Sequence, residues 1–559
     1  MTLPRSFSVN AGRPLQTTIP FDRIPGSKKL FLDYLSGVAS EFYAHPFTNQ
    51  ESYTSVQQKL SRRSFERERI VSALLRQSQQ FGAGPKTIEN INKLLDPTTT
   101  AVFTGQQVTI FGGPLYVFYK AALAVRLAES NCRRLQSSVV PIFWLAADDA
   151  DFDEVARVIV PGKDEKLQEL VYRPKQHPDG QTMGSVRFDD AILNLLDQYE
   201  QALPDTEFRG ELMTRLRECY RPGVSIVTAF GKYLSYLFKD TGLILVDPSD
   251  DEFRRLALPV FQRELTLREE AARAVEKSNA TLEAKGYHLQ VTKAGEYSNL
   301  FFCDGKRTRI DFAAGGFAID GKYVDQSALE AKVAETPWFF APNVFLRPIV
   351  QSHIFPTLIY FAGPSEAAYF AQMRELFEVF GEVPPVVYPR FSATIVERNI
   401  ARLMEKYDLA FEEFLGDVGQ PITEAMKRTY HADFDSIFAD LRDNVRQRLS
   451  EIAQLLDPSD HGLVTNAARI AGRIDVEIKS LEEKVFQAHR KKNQTVRTQL
   501  ERVAFHLHPT RQLQERAFPI NYYIAKYGPW IIDRLFGATD CNSGVHYLVH
   551  LDQTESEAT

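Results

Sequence analysis

The sequence predicts an α/β fold, a doubly wound parallel sheet that carries two insertions and is followed by an antiparallel coiled-coil helical hairpin. Three observations carry that expectation. A β-branched and apolar run (Thr100, Ala101, Val102, Phe103) leads through a glycine-bearing crossing (Gly105, Gln106, Gln107, Gly112, Gly113, Pro114) into an apolar helix. Further near-continuous apolar runs at residues 138–146, 242–247, 356–362 and 385–388 have the composition of strands buried on both faces. From residue 393 the pattern changes to long helices with apolar residues three and four apart.

Taken in order, residues 1–97 read as a helical lead-in. Leu30, Phe31, Tyr34, Leu35, Val38 and Phe42 repeat at helical spacing, a second amphipathic segment covers 54–80, and a third stops at Asp96-Pro97. Residues 98–154 hold the first part of the core, where strand, helix and strand make one right-handed βαβ unit. Pro114 falls in the first helical turn, where its missing N–H costs nothing. Residues 155–235 break the rhythm with Pro161-Gly162 and His177-Pro178-Asp179-Gly180 and are read as a first insertion. The core continues over 236–285, with capping residues at 247–250 for a helix from 251. A second insertion over 286–342 has short hairpin strands with turn glycines Gly315, Gly316 and Gly321. The core resumes over 343–392, with a turn and cap at Gly363-Pro364-Ser365-Glu366, a helix to Phe380, and a last strand.

Residues 393–510 carry one apolar series (Ile437, Leu441, Val445, Leu449, Ile452, Leu456), a break at 457–462, and a second series (Ile474, Ile478, Leu481, Val485, Ala488) in heptad rhythm. Two helices of roughly 35–40 residues, about 50–60 Å long, pair as an antiparallel hairpin. A second copy of the chain is the expected partner of the exposed seam. Residues 511–559, with Tyr522, Tyr523, Tyr527 and Trp530, are expected to dock back on the body.

Composition narrows the function. The 559 residues are 44% apolar and 25% charged with a net charge of −6, so no basic field points to nucleic acid or an acidic membrane. Four well-separated cysteines (Cys132, Cys219, Cys303, Cys541) fit a reducing compartment, each as a small buried hydrophobe. No signal architecture opens the chain, and its most apolar run is too short to span a bilayer. A soluble, cytoplasmic protein is expected.

In an open α/β sheet, ligands bind beyond the carboxyl ends of the strands. That rule gathers four loops, at residues 105–113, 148–153, 247–251 and 363–366. The first offers backbone donors, a helix start, and Tyr116 and Lys120 one helical turn apart. Its spacing is neither a dinucleotide fingerprint nor a P-loop, and tight steric packing of a βα turn explains the glycines equally well. Asp148, Asp149 and Asp151 could hold an ammonium, bind Mg²⁺ or act as a base, or they could cap a helix. Gly363 and Glu366 fit either a second anion-binding turn or plain capping. Arg347 and Arg390 are candidate anion clamps, or partners of structural carboxylates. The eleven histidines show no metal spacing, and none is expected near these loops.

The segments TGQQVTIFGGPLYVFYKAALAVRLA, VVPIFWLAADDADFDEV, FLRPIVQSHIFPTLIYFAGPSEAAYF and PPVVYPRFSATIVE, with the helices behind them, resemble the bacillithiol biosynthesis cysteine-adding enzyme family, BshC. The resemblance covers nearly the whole chain. It implies a cytosolic ligase that joins cysteine to glucosaminyl-malate in the last step of bacillithiol synthesis. It also implies a Rossmann-like core with two connective-peptide-like insertions and a coiled coil that makes a homodimer. ATP is the expected co-substrate, with Mg²⁺ alongside it. The family's GGQQ-type turn falls on Thr104, Gly105, Gln106 and Gln107, with Thr in place of the first Gly. Its GPLY start falls on Gly113, Pro114, Leu115 and Tyr116, its GPxExxY pattern on Gly363, Pro364, Glu366 and Tyr369, and its last strand on Pro389 and Arg390. The acidic strand end, usually Glu-Asp-His-Asp, here reads Asp148-Asp149-Ala150-Asp151, without the histidine. Synthetase signature motifs are absent, so activation as an adenylate stands as an analogy.

On this reading Asp148, Asp149 and Lys120 are catalytic. Gly105, Gln106, Gln107, Gly113, Tyr116, Trp144, Asp151, Gly363, Glu366, Tyr369 and Arg390 bind substrate or nucleotide, and no metal ligand is assigned. Two rival readings are a nucleotidyl or nucleotide-sugar transferase on the same sheet, and a non-catalytic coiled-coil scaffold.

Overall fold

The computed structural model describes residues 16–162, 165–292, 297–416, 419, 422, 425, 434–455, 461–542 and 544–551. Five core strands form one parallel sheet: Thr100–Gln106, Val139–Leu145, Ile244–Val246, Thr357–Ala362 and Val386–Pro389. Across the sheet they run fifth, fourth, first, second, third. The chain therefore steps outward from the first strand to the third, then returns to lay the fourth against the other side of the first. The switch point lies between the first and fourth strands, and all five carboxyl ends share one rim. Every residue of the second and fourth strands is buried, as their unbroken apolar composition requires.

Both insertions belong to the same compact unit as this sheet, which comprises the chain up to Ile395 together with Gln512–Leu551. The first contributes the antiparallel hairpin Arg157–Pro161 and Leu167–Val171, then the helices Ala191–Ala202, Arg209–Cys219 and Ile226–Leu237. The second is a five-stranded antiparallel sheet built from Tyr297–Asp304, Lys306–Ala313, Gly316–Ile319, Lys322–Asp325 and Phe340–Pro342.

Several local expectations change. The lead-in is not wholly helical: Gln16–Pro20 is a strand, paired antiparallel with Val545–Leu551 at the far end of the sequence. Its five residues are too few to carry a helical period, and their partner is remote. Pro114 is the N-cap of Leu115–Leu135 and lies outside its first turn. The helix expected to reach Phe380 is two helices, Pro364–Ala371 and Arg374–Val379. Of the four cysteines only Cys219 is buried, and all four are free thiols.

The second unit spans Val396–Arg511. Its long helices are Phe434–Leu455, of 22 residues, and His461–Leu507, of 47 residues, so they are unequal in length. Arg442 pairs with Glu482, and Arg446 with Asp475 at 3.1 Å, so partner numbers fall as helix numbers rise and the hairpin is antiparallel. The predicted seam is only partly covered within the hairpin. Ile437, Leu441, Ile452 and Leu481 are 42–53% exposed, while Val445, Leu449, Ile474 and Ile478 are half-buried. Leu456 and residues 457–460 of the expected break lie outside the described residues.

Candidate functional site at the carboxyl rim of the parallel sheet

Successive residues of a strand point to opposite faces, and the first core strand uses this at its end. Gln106 turns toward the helix behind it, where its Nε2 donates to the Tyr116 hydroxyl at 3.0 Å and its Oε1 accepts from Lys120 at 3.1 Å. Gln107 turns toward the second strand, where its Nε2 donates to Asp149 and, at 2.8 Å, to Glu154. The two adjacent glutamines divide the rim into a cationic side, at the fourth and fifth strands, and an acidic side, at the second and third.

On the cationic side, Lys120 is 4% exposed and spends its donors on Gly105 O (2.9 Å), Gln106 Oε1 (3.1 Å) and Glu366 Oε2 (2.8 Å). Burial pushes its pKa below the ordinary lysine value, against the pull of Glu366. Glu366, in the first turn of the helix Pro364–Ala371 after the fourth strand, accepts from the Gly363 N–H (2.8 Å) and the Tyr360 hydroxyl (2.9 Å). Burial alone would raise its carboxyl; Lys120 and these donors outweigh it and hold the group below the usual glutamate range. Arg347, from the helix Leu346–Ile354, donates to the hydroxyls of Tyr369 (2.8 Å) and Tyr360 (3.3 Å). Arg390, just past the fifth strand, is 7% exposed and ion-paired with Glu515 at 2.6 Å. A Cβ on Gly363 would lie 3.0 Å from the Arg390 Nε, so glycine lets that side chain lie against the turn. The Tyr116 ring sits between the Arg390 and Arg516 guanidiniums, at 5.7 and 5.8 Å.

On the acidic side, Asp148 forms an ion pair with Arg254, whose side chain is 7% exposed. Asp149 takes the Gln107 amide on one oxygen and the Ala150 (2.8 Å) and Asp151 (3.3 Å) N–H groups on the other, with Arg307 of the second insertion 3.9 Å away. Arg307 lies over the Phe301 ring at 3.8 Å. Asp247, just past the third strand, is half-buried, and its removal from solvent raises its pKa, with Ser249 donating to it at 2.6 and 2.9 Å.

Gly105, Gln106, Tyr116, Lys120, Gly363, Glu366, Tyr369 and Arg390 thus gather on one side of the rim, and Gln107, Asp148, Asp149 and Asp151 on the other. Several assigned roles change with this placement. Gly113 is no open anion cradle. Its φ of +70° and a Cβ that would sit 2.1 Å from Thr109 Oγ1 make it a steric requirement, and the Phe518 carbonyl accepts the Leu115 N–H at 2.8 Å, occupying the helix end. Trp144 is 2% exposed and packs behind Gly105, so its ring presents nothing to a ligand. Asp151 caps the helix Phe152–Val155 by accepting the Glu154 N–H at 3.0 Å. Lys120 has its donors filled by the fold, which makes it a positioning group for Gln106 and Glu366. The expectation that no histidine lies near the loops fails: His177 Nε2 is 3.3 Å from Asp153, and its Nδ1 is 2.6 Å from Asp179. The first insertion folds back to bring it there, which no local pattern announces. Arg254, Arg307, Glu515 and Arg516 also went unassigned, because their partners lie far away in sequence, and so did Tyr360, which stands inside an apolar strand with its partner Glu366 six residues on.

The acidic side chains do not fit a protein-held Mg²⁺. Asp148 is spent on Arg254, Asp149 on an amide and two N–H groups, and Asp151 on a helix end. Among the described residues no group of three or more histidine, cysteine or acidic side chains is arranged to hold a metal ion. Nor, among them, is any helix long and apolar enough to cross a membrane.

A Rossmann-like α/β body with a polarised rim, joined to a coiled-coil module, is the class these features define. Residues 17–391 match the family described as "Bacillithiol biosynthesis BshC, N-terminal Rossmann-like domain", and residues 393–551 match "Bacillithiol biosynthesis BshC, C-terminal coiled-coil domain". Relatives carrying the name "Putative cysteine ligase BshC" include one from Salinibacter ruber, 31% identical over 526 residues (93% of this chain, 96% of the relative). Others come from Koribacter versatilis, 34% identical over 526 residues (93% and 97%), and Symbiobacterium thermophilum, 32% identical over 520 residues (90% and 93%). The chain belongs to the bacillithiol biosynthesis BshC family.

Proposed function

We propose that this protein is a cysteine ligase that joins the carboxyl of L-cysteine to the amine of glucosaminyl-malate, driven by ATP, in the last step of bacillithiol synthesis. The observation that carries the reading is the division of one rim into a cationic and an acidic side by Gln106 and Gln107. A zwitterionic amino acid and an acceptor with both an amine and carboxylates need opposite fields side by side. Family membership and the names of the relatives support the same reaction class.

The chemistry requires activation, because a free carboxylate does not acylate an amine in water. The cysteine carboxylate attacks a phosphorus of ATP, giving an acyl-adenylate and pyrophosphate, or an acyl-phosphate and ADP. The acceptor amine then attacks the acyl carbon, AMP or phosphate leaves, and the amine surrenders one proton as the amide forms. Asp149, a quarter exposed at the rim and with one acceptor position left beyond its three hydrogen bonds, is placed to hold the ammonium and take that proton. Opposite, the positive field of the cationic side favours charge on the activated carboxyl and the leaving phosphate. Mg²⁺ arrives with the nucleotide.

The protein acts in the cytoplasm as a homodimer through its coiled coil. The helix His461–Leu507 bears a groove of about 450 Å³ lined by Ile470, Ile474, Ile478 and Leu481 with Arg473 and Glu477, an apolar surface of the kind a second copy covers.

Purified protein incubated with cysteine, glucosaminyl-malate and ATP should form the cysteinyl amide together with AMP or ADP, read by mass spectrometry. Asp149→Asn should lower the rate at least 100-fold without changing the mass of the assembly in light scattering. A nucleotide-sugar product formed without thiol would make the protein a transferase, and full activity in Asp149→Asn would remove the acidic side from the mechanism.

A further inference from the structure

Four arginines project from the body's buried or half-buried rim, and three of them face carboxylates. Arg254 has Asp148, Arg390 has Glu515, and Arg307 has Asp149 at 3.9 Å. Arg347 differs. Its partners are the Tyr369 hydroxyl at 2.8 Å, the Tyr360 hydroxyl at 3.3 Å and the Gln351 Oε1 at 3.3 Å, all neutral. Among the described residues no carboxylate lies within ion-pairing distance of it. Glu366, which acts on it electrostatically, is spent on Lys120, Tyr360 and Gly363. A guanidinium carries five N–H donors, so the three contacts leave two unused. It is held rigidly over the Tyr360 ring, its Cζ 5.2 Å from the centroid. A fixed, half-buried cation with neutral partners and spare donors is built for an anion that is not part of the fold.

We infer that Arg347, framed by Tyr360 and Tyr369, binds a carboxylate of the malyl group of the acceptor. This inference rests on the ligase reading above. The surroundings favour a carboxylate over a nucleotide phosphate. Tyr360, Tyr369 and Phe370, packed ring against ring with centroids 4.8 and 5.2 Å apart and themselves buried, fix the two hydroxyls that hold the guanidinium. The backbone donor a phosphate would want at this turn, the Gly363 N–H, is already taken by Glu366. The cysteine carboxylate is a poorer candidate, since it must leave any such clamp to be activated. Arg347 is accordingly a positioning and specificity residue.

Two measurements on the full-length protein test this. In calorimetric titrations with L-malate, with inorganic phosphate and ATP as parallel probes, Arg347→Ala should weaken malate binding 10- to 100-fold and leave ATP binding within 2-fold. In the ligase assay the same change should raise KM for glucosaminyl-malate by a similar factor while KM for cysteine stays within 2-fold. Arg347→Lys, which keeps the charge and loses the fork, should recover part of the loss. Tyr369→Phe removes one contact of the frame and should cost 2- to 5-fold, and it serves where Arg347→Ala does not fold. Unchanged malate affinity in both variants overturns the assignment. An effect confined to ATP and phosphate overturns it too, and places a phosphate there instead. If the wild-type protein forms no amide yet binds malate in an Arg347-dependent way, the ligase reading fails and the carboxylate site stands.

Discussion

On the cationic side of the rim, Lys120 comes from the crossover helix, Glu366 and Tyr360 from around the fourth strand, and Arg347 from the helix before it. The central pair is 4% and 20% exposed. On the acidic side, Asp149, Asp151, Asp153 and Glu154 come from a single loop, and Asp149 and Asp153 are 24% and 66% exposed. Hydrogen bonds on the first side cross between elements, whereas half of those that these four acids accept come from neighbouring backbone. The first side is therefore part of the fold's stability. The second can rearrange around a ligand at little expense. A ligase needs both: a rigid frame that sets where the acceptor lies, and adaptable lone pairs that meet a changing charge.

The comparison breaks most visibly at Glu366. Replacing it in Glu366→Ala leaves the Lys120 ammonium buried without its carboxylate, and urea unfolding should show a loss of about 3–5 kcal/mol. Adding Lys120→Met should recover most of that, because an apolar side chain needs no partner there. A single-variant loss near zero would mean the pair does not hold this side together.

Acid sharpens the contrast next. Glu366 and Glu515 both have folded pKa values below the ordinary glutamate value of 4.5, the first through Lys120 and the second chiefly through Arg390, in each case against burial. The unfolded chain thus takes up protons first as pH falls. The stability these groups contribute is complete above about pH 4.5 and is lost as pH drops through the folded values. Urea midpoints should be level from pH 7 to 5 and fall steeply below. Glu515→Gln should flatten that acid limb, and parallel curves for the two proteins would refute the linkage.

The smallest effect belongs to the acidic loop. Asp151→Ala removes a helix cap, and thermal unfolding should register about 1 kcal/mol or less. A loss as large as that of Glu366→Ala would erase the distinction between the two sides.

How much of this could be read in advance follows from the range of each interaction. The five parallel strands were legible because burial on both faces forces unbroken apolar runs such as residues 139–145. The glutamines, Tyr116, Glu366 and Tyr369 were legible because they stand beside the turns at strand ends, where ligands collect. Glu515 was not: it neutralises Arg390 across 125 residues, and neither end carries a local sign of the other. His177 and Arg307 arrive on insertions whose paths no periodicity predicts. Gly113 looked like an anion turn because its steric role and a phosphate cradle call for the same residue, and only the Phe518 carbonyl distinguishes them.

The return of the C-terminal segment to the body bears on how the protein is made. When the fifth core strand has left the ribosome, the carboxylate for Arg390, the carbonyl for the Leu115 helix end and the partner strand for Gln16–Pro20 are still unsynthesised, with Val396–Arg511 to come first. Vectorial synthesis can therefore lay down the sheet early, but the α/β body reaches its final form only once Gln512–Leu551 has emerged. A nascent chain stalled past the fifth strand would show protease-sensitive edges that the finished protein lacks.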